Sequence, residues 1–425
     1  MKDSRLILIR EKEKILSMLL VGGRLLEVGA CPVPEDGKEE ACPLGSIYVG
    51  KVKNVTANIN AAFVELSGGH MGFLPLGRRR EAGPLNRRPD GRILPGDELL
   101  VQVEKEAVGS KDPVLTTEIS LSGRYAVVFP GCGERKEKAC LKGNRPAFEN
   151  LHFSGKLSDK ERKAITAWMA GEGDATGVCT DILSSVRVIV RTNAGELENY
   201  GPLTEEIRRL AGGMARILDT AGSRTCFSCL YRPEHRWLTE IRDTYQSLYE
   251  EILTDDEGLY EELKNYLHGN YPEEQERLRI YRDERIPLRS LYGLGTKLQE
   301  ALDRRVWLKS GGYLIIEPTE ALTVIDVNSG KYTGRRGAGD TFRLINREAA
   351  VEIARQLRLR NLSGMILVDF INMETEEDER ELLACLAAEV SRDPVKTTVV
   401  DMTPLGLVEI TRKKIRKSLR EQLDG

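Results

Sequence analysis

The sequence predicts an α/β protein of several domains. Three observations carry that prediction. The chain has 425 residues, two to three times the ~150 of a typical domain, and its 40% hydrophobic content suffices to bury real cores. Between Gly45 and Leu121 short alternating segments are separated by glycines. From Trp307 onward strand patterns alternate with helix patterns.

The start, Met1 to Lys14, alternates charge with short apolar stretches, unlike a signal peptide, and no apolar run approaches the ~18 to 20 residues of a membrane span. A cytoplasmic location is expected. Eight cysteines in so long a chain are too sparse for a disulfide framework and fit a reducing compartment. The net charge of −3 removes any argument from bulk charge for a nucleic-acid partner, so the distribution of charge has to be read instead.

Ile47 to Val55, Ala61 to Leu66 and Gly72 to Pro75 alternate with period two, a further strand runs from Glu98 to Lys105 after the turn Pro95-Gly96-Asp97, and the pattern resumes at Leu115 to Leu121. Together they read as a small antiparallel barrel of about five strands. Arg124 to Pro130 and Val186 to Arg191 read as strands and Asp159 to Ala170 as a helix. Residues 236–285 read as helical and acidic, with 14 Asp and Glu against 6 Lys and Arg from Glu240 to Arg285, a face unsuited to phosphate. Farther on come a strand at Ala321 to Val327 and a helix at Arg347 to Leu359 with Ala350, Ile353, Ala354 and Leu357 on one side. A strand at Met365 to Ile371, a helix at Thr375 to Val390, and strands at Thr397 to Met402 and Leu407 to Thr411 complete the pattern.

Two carboxylates stand in otherwise apolar strands. Asp326 lies in Leu322-Thr323-Val324-Ile325-Asp326-Val327-Asn328, and Asp369 in Ile366-Leu367-Val368-Asp369-Phe370-Ile371. An unpartnered carboxylate there is costly, and each residue taken singly is as well explained as a cap for the following turn. For the pair, with Asn328 two residues on, a shared hard cation is the better account. Mg²⁺ takes one or two carboxylates, keeps several waters and accepts phosphate oxygens.

Other chemistries lack their motifs. There is no Gly-x-x-x-x-Gly-Lys-[Ser/Thr] phosphate loop, no Gly-x-Gly-x-x-Gly after a strand, and no His-Glu-x-x-His among the four histidines. Cys226 and Cys229 form a lone Cys-x-x-Cys, half a zinc site without a second pair. The barrel carries Tyr48, Phe63, His70 and Phe73, and between Arg78 and Arg92 six arginines face only Glu81 and Asp90. Exposed rings with a basic rim suit single-stranded nucleic acid, although alternation alone leaves Phe63 on either the core or the outer face. The run Arg412-Lys413-Lys414-Ile415-Arg416-Lys417 is a second basic segment that reads equally as a solvated helix.

Taken in order, these segments resemble the ribonuclease E/G family of bacterial endoribonucleases over nearly the whole chain. The most specific stretches are Gly72-Phe73-Leu74-Pro75-Leu76, Leu115 to Leu121, Val190-Arg191-Thr192, Thr323 to Gly330, Asn346 to Ala350, Ile353 to Arg360 and Leu362 to Phe370. The resemblance implies an RNase H-like subdomain, residues 1–45 and 237–301, interrupted by an S1 barrel at 46–118 and a 5′-sensor region at 119–236. A DNase I-like catalytic subdomain at 302–425 follows. It implies that Asp326 and Asp369 hold one Mg²⁺ ion, that Asn328 supports them, that Phe63, Phe73 and Lys111 bind RNA, and that Gly123, Val127, Arg191 and Thr192 receive a 5′-monophosphate.

The activity so implied is Mg²⁺-dependent hydrolysis of single-stranded RNA to 5′-phosphate and 3′-hydroxyl ends, with rRNA precursors and mRNA as substrates. The cysteines of the family's zinc link have no counterpart here, so structural zinc is not expected and any homodimer has to rest on other surfaces. The alternatives are an RNA-binding regulator that keeps the barrel with little turnover, and a DNA nuclease. Intact Asp326, Asn328 and Asp369 favour the enzyme, and a need for 2′-hydroxyls separates RNA from DNA.

Overall fold

The computed structural model describes residues 4–33, 42–77, 83–107, 111–131, 148–171, 178–330 and 338–424. The chain forms two compact units, Met1–Val33 with Leu248–Gly425, and Pro34–Ser247.

In the first unit the amino-terminal residues form strands that the sequence reading did not assign. Ser4–Glu11, Lys14–Val21 and Arg24–Pro32 make an antiparallel meander, whose second turn is Gly22-Gly23 with both residues at positive φ, the conformation a two-residue hairpin demands. Glu251–Thr254 pairs parallel to Ser4–Glu11, and Leu278–Ile280 extends the sheet, giving five strands. Residues 236–285 are therefore not uniformly helical. The strand Glu251–Thr254 lies between the helix Arg236–Asp243, which belongs to the second unit, and the helix Glu257–Asn270, and the strand Leu278–Ile280 follows.

A six-stranded sheet in the same unit runs in the order Arg305–Trp307, Tyr313–Pro318, Leu322–Asn328, Gly364–Asp369, Leu407–Arg412 and Thr397–Met402. Leu322–Asn328 and Gly364–Asp369 are its parallel pair. A parallel pair needs a crossover, and the helix Ala338–Leu359 lies in that connection. That helix and Glu376–Val390 cover one face of the sheet, where Ile325, Val327, Ile366 and Val368 meet Ile345, Ala350, Ile353, Leu357, Leu382 and Leu386 in one apolar core. Thr375 caps the second helix by accepting from Asp378 N, and four acids in its first turn oppose the positive end of the helix dipole.

The second unit opens with the barrel. Ile47–Thr56, Ala61–Glu65, Met71–Pro75, Val114–Thr116 and Glu98–Lys105 follow one another, and Glu98–Lys105 pairs back onto Ile47–Thr56 to close five strands, with Cys229–Tyr231 added outside. The strand expected over Leu115 to Leu121 breaks into Val114–Thr116 and Leu121–Ser122. The cause is Gln102, a buried side chain that accepts from Ser120 N and donates to the carbonyls of Gly45 and Ser120, taking over the work of a ladder. After the barrel comes a four-stranded sheet in the order Leu151–Phe153, Val186–Val190, Ala126–Pro130 and Leu121–Ser122, with the helix Gly201–Ala221 packed against it.

Arg87 of the expected basic rim is committed to structure. Its guanidinium donates to both oxygens of the buried Asp97 at 2.6 and 2.8 Å, and Asp97 also accepts from Leu94 N, which closes the turn before a barrel strand. Arg88 and Arg92 are exposed, whereas Arg78, Arg79, Arg80 and Glu81 lie outside the described residues. The bonds from Arg87 hold the Asp97 carboxyl below its ordinary range. A depressed folded-state value contributes stability above the unfolded pKa, about 4, and loses it as pH falls through the folded value. Asp97→Asn is therefore expected to lower the melting temperature at neutral pH and to flatten its fall below about pH 4. Parallel melting curves for wild type and variant down to the acid limb would refute this role for Asp97.

Candidate functional site

The parallel register sets Asp326 opposite Asp369. Neighbouring strands lie about 4.8 Å apart, and residues paired in register project to the same side, so the two carboxylates stand side by side. Because Ile325, Val327 and Val368 point into the core, alternation sends Asp326, Asn328 and Asp369 to the other, partly open face. Asp326 is half-buried and Asp369 exposed. Asn328 Nδ2 donates to Asp326 Oδ2 at 2.7 Å, which fixes that carboxylate and leaves its second oxygen available. Among the described residues Asp326 accepts from the Asn328 side chain and caps no backbone amide.

No Lys or Arg among the described residues pairs with either aspartate, and no group of three or more His, Cys, Asp or Glu converges among them. Two carboxylates without a neutralising side chain among the described residues form a hard oxygen donor set. It matches the preference of Mg²⁺ for one or two carboxylates with water and phosphate completing the shell.

Two supports of this site, Asn346 and Gly330, lie in stretches that carry the resemblance but were given no role from sequence. Asn346 is fully buried in the helix Ala338–Leu359. It accepts from Ile371 N and donates to Ile371 O, clamping the chain two residues beyond Asp369. Its signal was an amide in an otherwise apolar helix stripe. Gly330 has φ +61°, and a Cβ there would stand 2.4 Å from the carbonyl oxygen of Gly311, so only glycine lets the chain turn away directly after Asn328-Ser329.

In the barrel, Phe63 and Phe73 are cross-strand partners with ring centroids 5.9 Å apart in an edge-on arrangement. The flanking Ala62 and Val64 enter the core with Tyr48, whereas both phenylalanines are half-buried on the outer face. Tyr48, grouped above with the surface aromatics, is a core residue, and burial pushes its hydroxyl up to about 12. Phe73 N donates to Pro113 O, which brings the segment bearing the exposed Lys111 beside the ring pair. His70 is exposed at a turn. Cys226 and Cys229 flank the strand Ile47–Thr56. Cys226 Sγ approaches Val49 O at 3.9 Å, and Cys229 is exposed.

Gly123, Val127, Arg191 and Thr192, the positions expected to receive a 5′-monophosphate, gather at one end of the four-stranded sheet. Val127 pairs with Ile189, and Arg191 N donates to Tyr125 O. Arg191 Nη1 donates to Gly123 O at 2.5 Å and to Asp243 Oδ1 at 2.8 Å, so the arginine is ion-paired and only 27% exposed. The strand before it is interior to the sheet, not an edge. Thr192 shares a hydrogen bond with Ser154, Oγ1 to Oγ at 3.0 Å.

Behind them the buried Glu206 accepts from the backbone amides of Arg124, Tyr125 and Ala126 at 2.7, 2.7 and 3.0 Å. A Cβ on Gly123 would meet that carboxylate at 2.2 Å, so glycine is required. Asp243 and Glu206 were not singled out from sequence. Glu206 had a signal, an acid within the helix stripe Leu203, Ile207, Leu210 and Met214.

Glu206→Gln would turn an amide NH₂ toward backbone N–H groups, with an expected cost of about 1 to 3 kcal/mol and faster hydrogen exchange at Arg124 to Ala126. Unaltered protection of those amides would remove Glu206 as the anchor of this loop.

Residues 144–415 match the model of the Ribonuclease E/G family. The chain is 33% identical to Ribonuclease G of Salmonella typhimurium over 400 residues, covering 89% of this chain and 74% of that protein. It is 33% identical to Ribonuclease G of Escherichia coli with the same shares, 89% and 74%. With Ribonuclease E of a Nostoc species the identity is 35%, over 89% of this chain and 52% of the relative, so the chain spans about half the length of that protein.

Proposed function

The chain belongs to the ribonuclease E/G family, and from that premise we propose that it is an endoribonuclease that cuts single-stranded RNA with Mg²⁺ held by Asp326 and Asp369. The observation that carries this reading is the register pairing of two carboxylates with no neutralising side chain among the described residues, on the open face of a sheet whose other face is core. Bound there, Mg²⁺ would polarise a water for attack on phosphorus and offset charge developing on the phosphate oxygens. Asn328 would keep Asp326 in one rotamer, and Asn346 would hold the backbone that carries Asp369. Hydrolysis at the 3′ oxygen leaves 5′-phosphate and 3′-hydroxyl ends.

The proposal extends to binding. Phe63 and Phe73 present half-exposed rings for unpaired bases, with Lys111 close by for a phosphate. We read Gly123, Val127, Arg191 and Thr192 as a site for a 5′-monophosphate. Arg191 is already oriented by Gly123 O and Asp243, and an incoming phosphate would compete with Asp243 for its guanidinium. Processing of rRNA precursors and mRNA in the cytoplasm belongs to the same proposal, as do the RNase H-like and DNase I-like descriptions of the two halves of the first unit. No described helix is long and apolar enough to cross a membrane. Homodimerisation is not part of the proposal.

The decisive experiment incubates purified protein with a short labelled single-stranded RNA in Mg²⁺ or EDTA. Asp326→Asn and Asp369→Asn are expected to abolish cleavage and to leave RNA binding largely intact, since the carboxylates hold the cation and not the strand. Cleavage by the double Asn variant at the wild-type rate, or cleavage undiminished by EDTA, would sink the assignment.

The sensor is tested with 5′-monophosphate and 5′-hydroxyl versions of one RNA. Remote binding energy at the 5′ end is expected to align the strand and raise turnover as well as affinity, so the monophosphate form is cut faster. Arg191→Ala is expected to erase most of that preference while sparing slower cleavage of the hydroxyl form. Equal losses on both RNAs would reduce Arg191 to a partner of Asp243 in the fold.

A further inference from the structure

The sheet that carries Asp326 and Asp369 bears a second group of residues that no reading above has used. Its outermost strand, Arg305–Trp307, pairs with Tyr313–Pro318 so that Trp307 stands opposite Tyr313 and Arg305 opposite Ile315. The next register sets Tyr313 opposite Asn328 and Ile315 opposite Asp326. Two rows thus cross the open face, one of Trp307, Tyr313 and Asn328, the other of Arg305, Ile315, Asp326 and Asp369. Trp307 lies two strand spacings, about 10 Å, from Asn328 and on the same face.

These residues form a compact cluster. The rings of Trp307 and Tyr313 have centroids 5.3 Å apart and are tilted by 60°. The guanidinium of Arg305 lies 4.7 Å from the Tyr313 ring centroid and 5.6 Å from that of Trp307. Trp307 nevertheless keeps 61% of its surface exposed, unusual for the largest apolar side chain. Arg305 has no carboxylate partner among the described residues, unlike the adjacent Arg304, which pairs with Glu317. The exposed Lys309 follows two residues after Trp307 and is likewise unpaired among the described residues.

A purely structural account would have the rings shield a sheet edge. That edge strand has only three residues and needs little shielding, and such an account leaves Arg305 and Lys309 without a carboxylate partner among the described residues. An exposed indole backed by a second ring, beside cations without a carboxylate partner among the described residues, is instead the composition that binds unpaired bases and their phosphates.

We propose that Trp307, Tyr313 and Arg305 form a stacking site for an unpaired RNA base adjacent to the phosphate cleaved at Asp326 and Asp369. The rings receive the base, and Arg305 with Lys309 offsets the backbone charge. The site anchors the strand on one side of the carboxylates, so it sets which phosphate reaches them. This inference rests on the nuclease reading of the carboxylate pair.

The test uses the full chain with Mg²⁺ and a single-stranded RNA of defined cleavage position, in versions carrying one abasic nucleotide at successive places on either side of the cut. Wild type is expected to lose roughly 10-fold in kcat/KM when one neighbouring base is removed. Trp307→Ala is expected to lose about as much on intact RNA and nothing further on the abasic version, whereas Trp307→Phe keeps most of the wild-type rate. An abasic penalty of the same size in Trp307→Ala overturns the stacking site and leaves the nuclease reading standing.

If wild type cuts no RNA, the nuclease reading fails, and binding decides the stacking site alone. The fluorescence of wild type less that of Trp307→Ala, titrated in EDTA with the intact oligonucleotide, is expected to show a quench that belongs to Trp307 and weakens with the abasic oligonucleotide. No quench belonging to Trp307 overturns the proposal. Where wild type does cut RNA, a change in sedimentation of Trp307→Ala without RNA, with wild-type kinetics retained, also overturns the proposal and assigns the ring to a contact between copies of the chain.

Discussion

The first unit depends on the parallel register that sets Asp326 beside Asp369. Strand alternation has a period of two, so the pairing that buries Ile325, Val327, Ile366 and Val368 against two helices is the same pairing that presents the carboxylates on the opposite face. A slip of one residue in either strand would drive a carboxylate into the apolar core and expose a valine or isoleucine in its place. Hydrophobic burial therefore enforces the juxtaposition of two like charges, which electrostatics alone would oppose. The energy that holds the pair together is stored on the far side of the sheet.

The same constraint explains the polar groups around the pair. Loops that leave adjacent parallel strands need fixing, because the strands end where the carboxylates begin. After Asn328 the chain turns at Gly330, where a side chain would collide with Gly311. After Asp369 it is clamped by both bonds of Asn346 to Ile371. An asparagine inside a helix is a poor helix former, and burying its amide without partners would cost about 1 to 3 kcal/mol. Ile371 satisfies both ends, so a locally unfavourable residue becomes a brace between the crossover helix and the carboxylate strand. The helix begins at Ala338, earlier than the start at Arg347 that the apolar periodicity marks, since that periodicity can be followed only beyond this asparagine.

How much could be read from sequence follows from which faces are wet. The barrel was legible because one side of each strand packs inward and the other meets solvent, which writes period two into the residues. The carboxylate strands were legible for a related reason, a lone acid amid aliphatic residues. The amino-terminal strands were missed because Leu6 to Ile9 and Ile15 to Leu20 are buried on both faces and show no alternation. Glu251–Thr254 and Leu278–Ile280 were missed because four and three residues are too few to establish a period within charged helical text. The partners of Arg191, Gly123 O and Asp243, involve positions 68 and 52 residues away, and no local pattern marks them.

Two arginines of this chain, Arg87 and Arg305, show what the charge count conceals. Arg87, in the basic run near the barrel, is tied to the buried Asp97 and serves a turn. Arg305 has only one basic residue, Arg304, beside it in sequence, yet it lies over two rings on the face that carries the carboxylates. A guanidinium held by a buried carboxylate can reach a phosphate only by abandoning a costly group, whereas one resting on aromatic faces keeps its donors directed outward. Availability of charge is set by what each cation already touches. The rows joining Trp307 and Tyr313 to Asn328, and Arg305 to Asp326, put available charge and open ring faces beside the paired carboxylates. A sheet with one dry face can in this way carry both the anchoring of a strand and the chemistry on its backbone, with the register of its strands fixing the distance between them.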